Sequence, residues 1–322
     1  MFKRKNNAEL TLDELGHIKK KYPKTKIGLA LGGGGARGLA HIGVLKAFEE
    51  YGLTFDFVSG TSAGSLVGAL YCAGWKPSEM EKIALTLSVK DIRPSKFIFI
   101  PSSMNSLEEL IKKNLGEVCI ENLKIPFSAV AVDLRTTNEI AIRNGDLAKA
   151  VTGSCAAPGV FAPVKFEDMI LADGGLSNAI PSDVCLLYGC DYVVSVDVNC
   201  TRTYGTDSSK LLDTLLASIR ILMKSTPIKG YFYSDVMLTP DMKRFSSMKL
   251  ENAEEMIEEG YKEAKRSIAK IAEIFSMKPK RKKDKMCVDF AEGKNKIIEN
   301  TILSTIIKST LMDNKINVEK QN

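Results

Sequence analysis

The segment LALGGGGARGLAH (29–41) contains four consecutive glycines, followed by an arginine and by one of the two histidines in the chain. It connects a short apolar run, KIGLAL (26–31), to ARGLAHIGVLKAFEEYG (36–52), in which apolar residues recur at helical spacing. The first pattern predicts a buried strand, and the second predicts a helix that ends at a glycine. Bare backbone at such a strand–helix turn favours a nearby negative charge, either a phosphate or a transient oxyanion.

The following residues repeat this order of elements. FDFVSG (55–60) predicts a second strand, and SAGSLVGALYCAG (62–74) predicts a second apolar helix. Strand–helix alternation of this kind predicts a three-layer α/β/α fold with a mostly parallel central sheet. Similar patterns predict further strands at 126–134, 138–145, 169–173 and 191–199 and further helices at 211–224 and 251–275.

The composition is that of a globular protein with a sizeable core, with 44% hydrophobic and 26% charged residues in a chain of 322. No apolar run approaches the roughly 18 residues of a membrane span, and no apolar stretch follows the basic N-terminus as in a secretory signal. The seven cysteines are scattered and include no CxxC pair. This pattern favours reduced thiols and a cytoplasmic location, and we expect neither a metal nor a cofactor.

The net charge of +6 is concentrated in one segment, KPKRKKDK (278–285), which alone carries +5. Because the rest of the chain is close to neutral, we expect no nucleic-acid partner. The patterns divide the chain into a helical N-terminal lead-in (1–25), one α/β domain (26–275) and a C-terminal tail (276–322). The oligomeric state stays open.

The tail combines the basic segment with an amphipathic helical pattern in TILSTIIKSTLM (301–312). One interpretation is a linker followed by a helix that docks on the body or on a second subunit. The other is a peripheral contact with the inner face of the membrane, because basic and apolar residues together favour anionic bilayers.

GTSAG (60–64) has the G-x-S-x-G pattern and lies where an apolar strand turns into an apolar helix. This is the context of a nucleophile elbow, with Ser62 exposed at the helix N-terminus. Gly60 and Gly64 would let the strand and the helix pack closely around the serine. The alternative is an ordinary helix N-cap serine in a tight turn.

A serine nucleophile requires a base, and the chain offers only two histidines, His17 and His41. Both precede Ser62, which excludes the Ser…Asp…His order of α/β-hydrolases. The base is therefore expected to be a carboxylate.

Asp173 is the best candidate for this base, because MILADGG (169–175) ends an apolar strand with an aspartate. Gly174 and Gly175 would allow a tight turn that brings the carboxylate close to another element. An ordinary Asp-Gly turn is the alternative, and Asp133 and Asp197 are further candidates. Burial would raise the pKa of an aspartate towards a working pH.

A dinucleotide site is the competing interpretation of the glycine loop. Gly33, Gly35 and Gly38 match the G-x-G-x-x-G fingerprint, and Asp56 lies 18 residues beyond it. However, Asp56 precedes its strand, and a nucleotide site explains neither Arg37 nor GTSAG. The loop is better explained as a source of backbone N–H donors for an oxyanion.

The motifs GGGARG (33–38), GTSAG (60–64) and DGG (173–175), in this order, resemble those of the patatin-like phospholipases, and the bacterial members most closely. SCAAPGVFAP (154–163) extends the resemblance, which covers roughly residues 26–240. The family often has DGA where this chain has DGG, a departure that leaves the aspartate in place.

The resemblance implies a serine acyl hydrolase that cleaves fatty-acyl esters of phospholipids or lysophospholipids through a Ser62–Asp173 dyad. It implies an oxyanion hole formed by the backbone of Gly34, Gly35 and Ala36, with Arg37 in support. Arg37 has a second interpretation as a structural ion-pair residue. A lipid-binding regulatory protein without turnover is the alternative function. Phe161 and the apolar residues 97–100 would line an acyl groove or pack in the core.

Overall fold

A computed structural model describes residues 25–86, 104–200, 210–277 and 296–297. The predicted lead-in helix, residues 97–100 and the predicted helix at 301–312 lie outside these ranges. The described strands are β1 (Ile27–Leu31), β2 (Phe57–Thr61), β3 (Phe127–Asp133), β4 (Glu139–Ile142), β5 (Val164–Phe166), β6 (Met169–Asp173), β7 (Tyr192–Val196), β8 (Val236–Leu238) and β9 (Lys296–Ile297).

The helices cover the two faces of this sheet. They are α1 (Ala40–Glu50), α2 (Ala63–Ala73), α3 (Pro77–Thr86), α4 (Asn105–Leu115), α5 (Leu147–Ser154), α6 (Ser182–Leu187), α7 (Leu211–Leu222), α8 (Ile228–Tyr233) and α9 (Ala253–Ser276). Short 3₁₀ turns at Gly35–Leu39 and Gly174–Leu176 complete the surroundings of the site. Among the described helices, none is long and apolar enough to cross a bilayer.

The strand order confirms the predicted layered α/β fold and adds an antiparallel part. Strands β3, β2, β1, β7 and β8 are neighbours in this order and run parallel. On the β3 side, β4, β5, β6 and β9 pair antiparallel. The sheet is therefore mixed, with the predicted parallel arrangement at its centre.

Alternation along the buried strands explains the three layers, because successive side chains of a strand point to opposite faces. Leu29 and Leu31 of β1 pack in one core together with residues of α1, α2, α3 and α9. Ala30, between them, packs in a second core with residues of α6 and α8. Strands buried on both faces read as nearly continuous apolar runs, as KIGLAL does.

The strand register brings two predicted site residues together. Thr61, the last residue of β2, pairs with Val130 of β3, and Asp173, the last residue of β6, pairs with Ala131. Strand β4 pairs with one edge of β3 at these positions. Strands β2 and β6 therefore lie along the opposite edge of β3, where β6 begins to pair at the point at which β2 ends. Ser62, directly after β2, therefore faces Asp173.

Candidate active site

Ser62 lies at a strained turn between β2 and α2. Its backbone has φ +52° and ψ −126°, a conformation that L-residues rarely adopt and that costs on the order of 1–3 kcal/mol. It occupies the N-cap position of α2, but its hydroxyl makes no capping hydrogen bond. The structure thus fits the elbow interpretation better than that of an ordinary N-cap serine.

The elbow glycines allow close backbone packing, as their positions in GTSAG predict. A Cβ atom on Gly60 would lie 2.5 Å from the carbonyl oxygen of Gly64. A Cβ atom on Gly64 would overlap the carbonyl of Leu31 in β1. Larger residues would push α2 away from the sheet and displace Ser62.

Two further serines hold the backbone of Ser62, and sequence reasoning did not assign these roles. The Ser62 N–H donates to the Ser154 hydroxyl over 2.9 Å, and the Ser154 hydroxyl donates to the carbonyl of Val130. The Ser65 hydroxyl donates to the Ser62 carbonyl over 2.7 Å. The only sequence signal was that Ser154 opens the SCAAPGVFAP segment.

Asp173 is buried next to Ser62, with 6% of its surface exposed. Burial raises the pKa of its carboxyl to about 6, against the effect of hydrogen bonds from the Ser62 hydroxyl and the Gly175 N–H. The Gly175 bond measures 2.7 Å. A Cβ atom on Gly174 would overlap the carbonyl of Val130, so glycine at this position lets the turn lie against β3.

The other candidate bases hold turns. Asp133 accepts hydrogen bonds from the Ile170 N–H at 3.0 Å and the Thr136 hydroxyl at 2.8 Å. Asp197 accepts the Asn199 N–H at 2.7 Å. Within the described part of the chain, neither carboxylate is hydrogen-bonded to Ser62.

The glycine loop lies directly over Ser62, since a Cβ atom on Gly33 would be 3.2 Å from the Ser62 Cβ. Gly35 has φ +56°. The N–H groups of Gly34 and Gly35 have no acceptor among the described residues. The Ala36 N–H donates to the Ser247 carbonyl over 2.9 Å. The Ala36 N–H is thus already paired in this structure, and its role as an oxyanion donor stays a prediction that requires this hydrogen bond to break.

The remaining fingerprint glycines serve packing around the elbow. Added Cβ atoms would overlap the Ser247 carbonyl at Gly35 and the Ala63 side chain at Gly38. The glycine loop therefore packs closely against the start of α2 and against the segment that precedes α9. This fit explains its glycines without a nucleotide.

Arg37 stabilises the glycine loop through hydrogen bonds. It is 8% exposed, and its Nε donates to the carbonyl of Phe245 over 2.9 Å. Its guanidinium also donates to the Asn199 side-chain oxygen at 3.3 Å, and the Asn199 amide donates to the Gly33 carbonyl at 2.7 Å. These hydrogen bonds hold the glycine loop in place, and no sequence pattern pointed to Asn199.

His41 also fixes the loop. It is fully buried, and burial lowers its pKa to about 4 although a hydrogen bond with the Gly32 carbonyl raises it. The imidazole is therefore neutral at physiological pH, and its Nε2–H donates to that carbonyl over 2.7 Å. His41 is a structural residue beside the site.

A buried polar network supports the Asp173 turn. The Asn178 side-chain amide donates to Glu139 and Asp183, each over 2.8 Å, and the Asn178 backbone carbonyl accepts the Thr61 hydroxyl at 2.8 Å. The Lys229 ammonium lies 2.9 Å from Glu139 and 3.9 Å from Asp183. The network connects α8 to the ends of both β2 and β6. Across the described ranges, no group of three or more His, Cys, Asp and Glu side chains is arranged to hold a metal ion.

A mixed α/β sheet with a strained elbow serine, a buried aspartate and an overlying glycine loop defines the class of fold and site. Residues 29–186 match the sequence model described as patatin-like phospholipase. Residues 29–186 therefore form a domain of the patatin-like phospholipase family.

Several curated relatives are similar in sequence. An uncharacterized NTE family protein of Mycobacterium tuberculosis is 33% identical over 181 residues, which cover 54% of this chain and 49% of the relative. Neuropathy target esterase sws of Drosophila melanogaster is 34% identical over 197 residues, covering 57% and 14%. Lysophospholipase NTE1 of Mycosarcoma maydis is 30% identical over 277 residues, covering 74% and 14%. The chain thus spans about half the length of the mycobacterial relative and a small part of the other two.

Proposed function

We propose that this chain is a serine acyl hydrolase that cleaves fatty-acyl ester bonds of phospholipids or lysophospholipids. The observation that carries the proposal is the strained Ser62, whose hydroxyl makes no capping bond and lies beside the buried Asp173, close enough to lower the pKa of that carboxyl. The names of two relatives, a neuropathy target esterase and a lysophospholipase, support ester chemistry on lipids.

In the proposed mechanism, the Ser62 hydroxyl oxygen attacks the acyl carbonyl while Asp173 takes its proton. Collapse of the tetrahedral intermediate releases the alcohol, which receives that proton from Asp173. A water molecule then attacks the acyl-serine with Asp173 again as base, and the free fatty acid leaves as the proton returns to Ser62. The raised pKa of Asp173 makes it a better base than an ordinary carboxylate, because proton transfer is favoured near the operating pH.

The N–H groups of Gly34 and Gly35 are the proposed oxyanion donors. Both lie at the start of a 3₁₀ turn, where the first backbone N–H groups have no partner within the helix. A Cβ atom on Gly33 would touch Ser62, so the N–H groups that follow Gly33 would be close to the attacked carbonyl. Donors fixed in advance at such positions stabilise the developing charge in the transition state.

A cytoplasmic location is also a proposal, supported by the free thiols of the six described cysteines. The lipid substrate is the proposed partner, with no nucleic acid, metal or cofactor required. Contact of the 276–322 tail with the inner membrane face remains a proposal as well. Of this tail, the described residues are the end of α9 and strand β9, which pairs with β4.

A fluorophosphonate probe combined with a chromogenic acyl ester tests the proposed chemistry. We expect Ser62→Ala to lose both labelling and hydrolysis, and Asp173→Asn to lose hydrolysis with its fold intact. The exposed Ser276→Ala and Asp168→Asn are matched controls and should behave as wild type. Near wild-type turnover in either dyad variant would refute the mechanism, and a wild-type protein that is never labelled would favour a lipid-binding regulator.

A further inference from the structure

The surface formed by α7 and α8 exposes an unusual amount of apolar side chain. Twelve large hydrophobic residues are exposed in the described part of the chain, and seven of them lie between residues 211 and 232. These seven are Leu211 (76% exposed), Leu215 (53%), Ile221 (59%), Leu222 (73%), Ile228 (66%), Tyr231 (46%) and Phe232 (71%). Concentrated apolar exposure of this kind marks an interaction surface.

Helix α7 contributes most of this surface. Eight of its twelve residues are apolar, including alanine. Of its nine side chains that the structure describes, six are exposed and three are half-buried. A helix of this composition usually buries an apolar face. The exposed apolar side chains of α7 therefore indicate that this helix binds a partner.

The charge of the same segment favours an anionic partner. Apart from Lys229, which is paired with Glu139 and Asp183, residues 210–234 contain three basic residues, Lys210, Arg220 and Lys224, and one acidic residue, Asp213. Apolar side chains with basic residues around them are typical of helices that lie in the interface of an anionic bilayer.

The α7–α8 surface is continuous with the Asp173 turn. A Cβ atom on Gly175 would lie 3.1 Å from the methyl carbon of Met223, which directly follows α7. The Thr226 hydroxyl donates to the Gly175 carbonyl over 3.1 Å. Lys229 of α8 joins the network that supports the same turn.

We propose that the α7–α8 surface docks on an anionic phospholipid interface and places the Ser62 site against the lipid. The assignment of this surface as the route of substrate entry rests on the proposed hydrolase function. A long-chain lipid has to leave its bilayer to reach Ser62. The apolar α7–α8 surface, next to the Asp173 turn, would therefore face the bilayer.

The test uses the full chain and a triple variant, Leu211→Gln, Leu222→Gln and Phe232→Gln. The matched control replaces two exposed apolar residues of the opposite helical layer, Leu85→Gln and Met277→Gln. Co-sedimentation with vesicles of phosphatidylcholine, with and without phosphatidylglycerol, measures binding without turnover. Hydrolysis of a soluble short-chain ester and of vesicle phospholipid is measured in parallel.

We expect the triple variant to lose about tenfold or more in affinity for phosphatidylglycerol vesicles, because interfacial binding scales with buried apolar area. Hydrolysis of vesicle phospholipid should fall in parallel, while hydrolysis of the soluble ester stays within about twofold of wild type. Binding by the wild type and the control should weaken without phosphatidylglycerol and with added salt. Thermal unfolding verifies that the triple variant is folded.

Three results would overturn the proposal. The wild type could fail to bind vesicles, or the triple variant could bind them as wild type does while deletion of residues 298–322 abolishes binding. Light scattering could instead reveal a dimer that the triple variant dissociates, which would make a second copy the partner. If the triple variant loses vesicle binding and the wild type hydrolyses no ester, the proposed hydrolase function would be refuted. The assignment of the α7–α8 surface as a docking surface would still stand.

Discussion

Replacing Asp173 with asparagine is expected to stabilise the folded protein at neutral pH while abolishing hydrolysis. Burial raises the pKa of this carboxyl from 3.8 to about 6, so the ionised form is less stable in the folded protein than in the unfolded chain. Each pH unit of difference is equivalent to about 1.4 kcal/mol, so the cost at pH 7 is about 3 kcal/mol. Asparagine has nearly the same shape, carries no charge and can still accept the Gly175 N–H.

The sign of the pH dependence follows from the direction of the pKa change. A carboxyl whose folded pKa lies above its unfolded value stabilises the fold in its protonated form. This contribution is complete below about pH 4 and is lost as the pH rises through about 6. The advantage of Asp173→Asn over wild type should therefore be largest at pH 7 and vanish near pH 4.

Thermal unfolding of both proteins between pH 4 and pH 7.5 measures this effect. About 3 kcal/mol corresponds to roughly 6–12 °C in Tm for a domain of this size. The exposed Asp168→Asn is the control for removal of a carboxylate. An Asp173→Asn variant that is less stable than wild type at pH 7, or whose Tm differs from wild type by the same amount at pH 4 and pH 7, would contradict this prediction.

Three further predictions concern the base, the buried network and the loop. The kcat/KM for a soluble ester should rise about tenfold between pH 5 and pH 7, with a midpoint near 6, because Asp173 acts as a base only when ionised. Lys229→Met should lower the free energy of unfolding by about 3 kcal/mol in urea titrations, since Glu139 and Asp183 would lose their cation. Asn199→Ala should reduce kcat by about tenfold to a hundredfold with little change in KM, because the Gly33 carbonyl would lose its donor and the oxyanion donors their position.

Each of these predictions has a result that contradicts it. A pH–rate profile without a transition near pH 6 would exclude Asp173 as the titrating base. Wild-type stability of Lys229→Met would show that the two carboxylates do not need the cation, with the exposed Lys224→Met as control. An unchanged kcat in Asn199→Ala would remove Asn199 from the positioning residues, whereas a proportional loss of stability and activity would assign it a folding role.

The elbow and the glycine loop could be predicted from sequence because both are local. A strand, a glycine-flanked serine and an apolar helix follow one another along the chain, and their spacing fixes the geometry of the turn. The close contacts of Gly60 and Gly64 arise for the same reason. The parallel centre of the sheet followed equally from alternating strands and helices.

The rest depends on residues that are far apart in sequence. Ser62 meets Asp173 because β2 and β6 share one edge of β3, a register that no local pattern encodes. Ala36 is paired with Ser247, and Arg37 with Phe245, across more than 200 residues. The helices α5, α6 and α8 have six to eight residues, too few to give a clear periodicity.

The Ser62 mechanism is tested most directly by identifying the residue that reacts with a fluorophosphonate, using peptide mass spectrometry alongside ester hydrolysis. We expect a single adduct on Ser62 in the wild type and in Ser276→Ala, no adduct and no turnover in Ser62→Ala, and slower labelling in Asp173→Asn. An adduct on another residue, or hydrolysis that persists in Ser62→Ala, would contradict this mechanism.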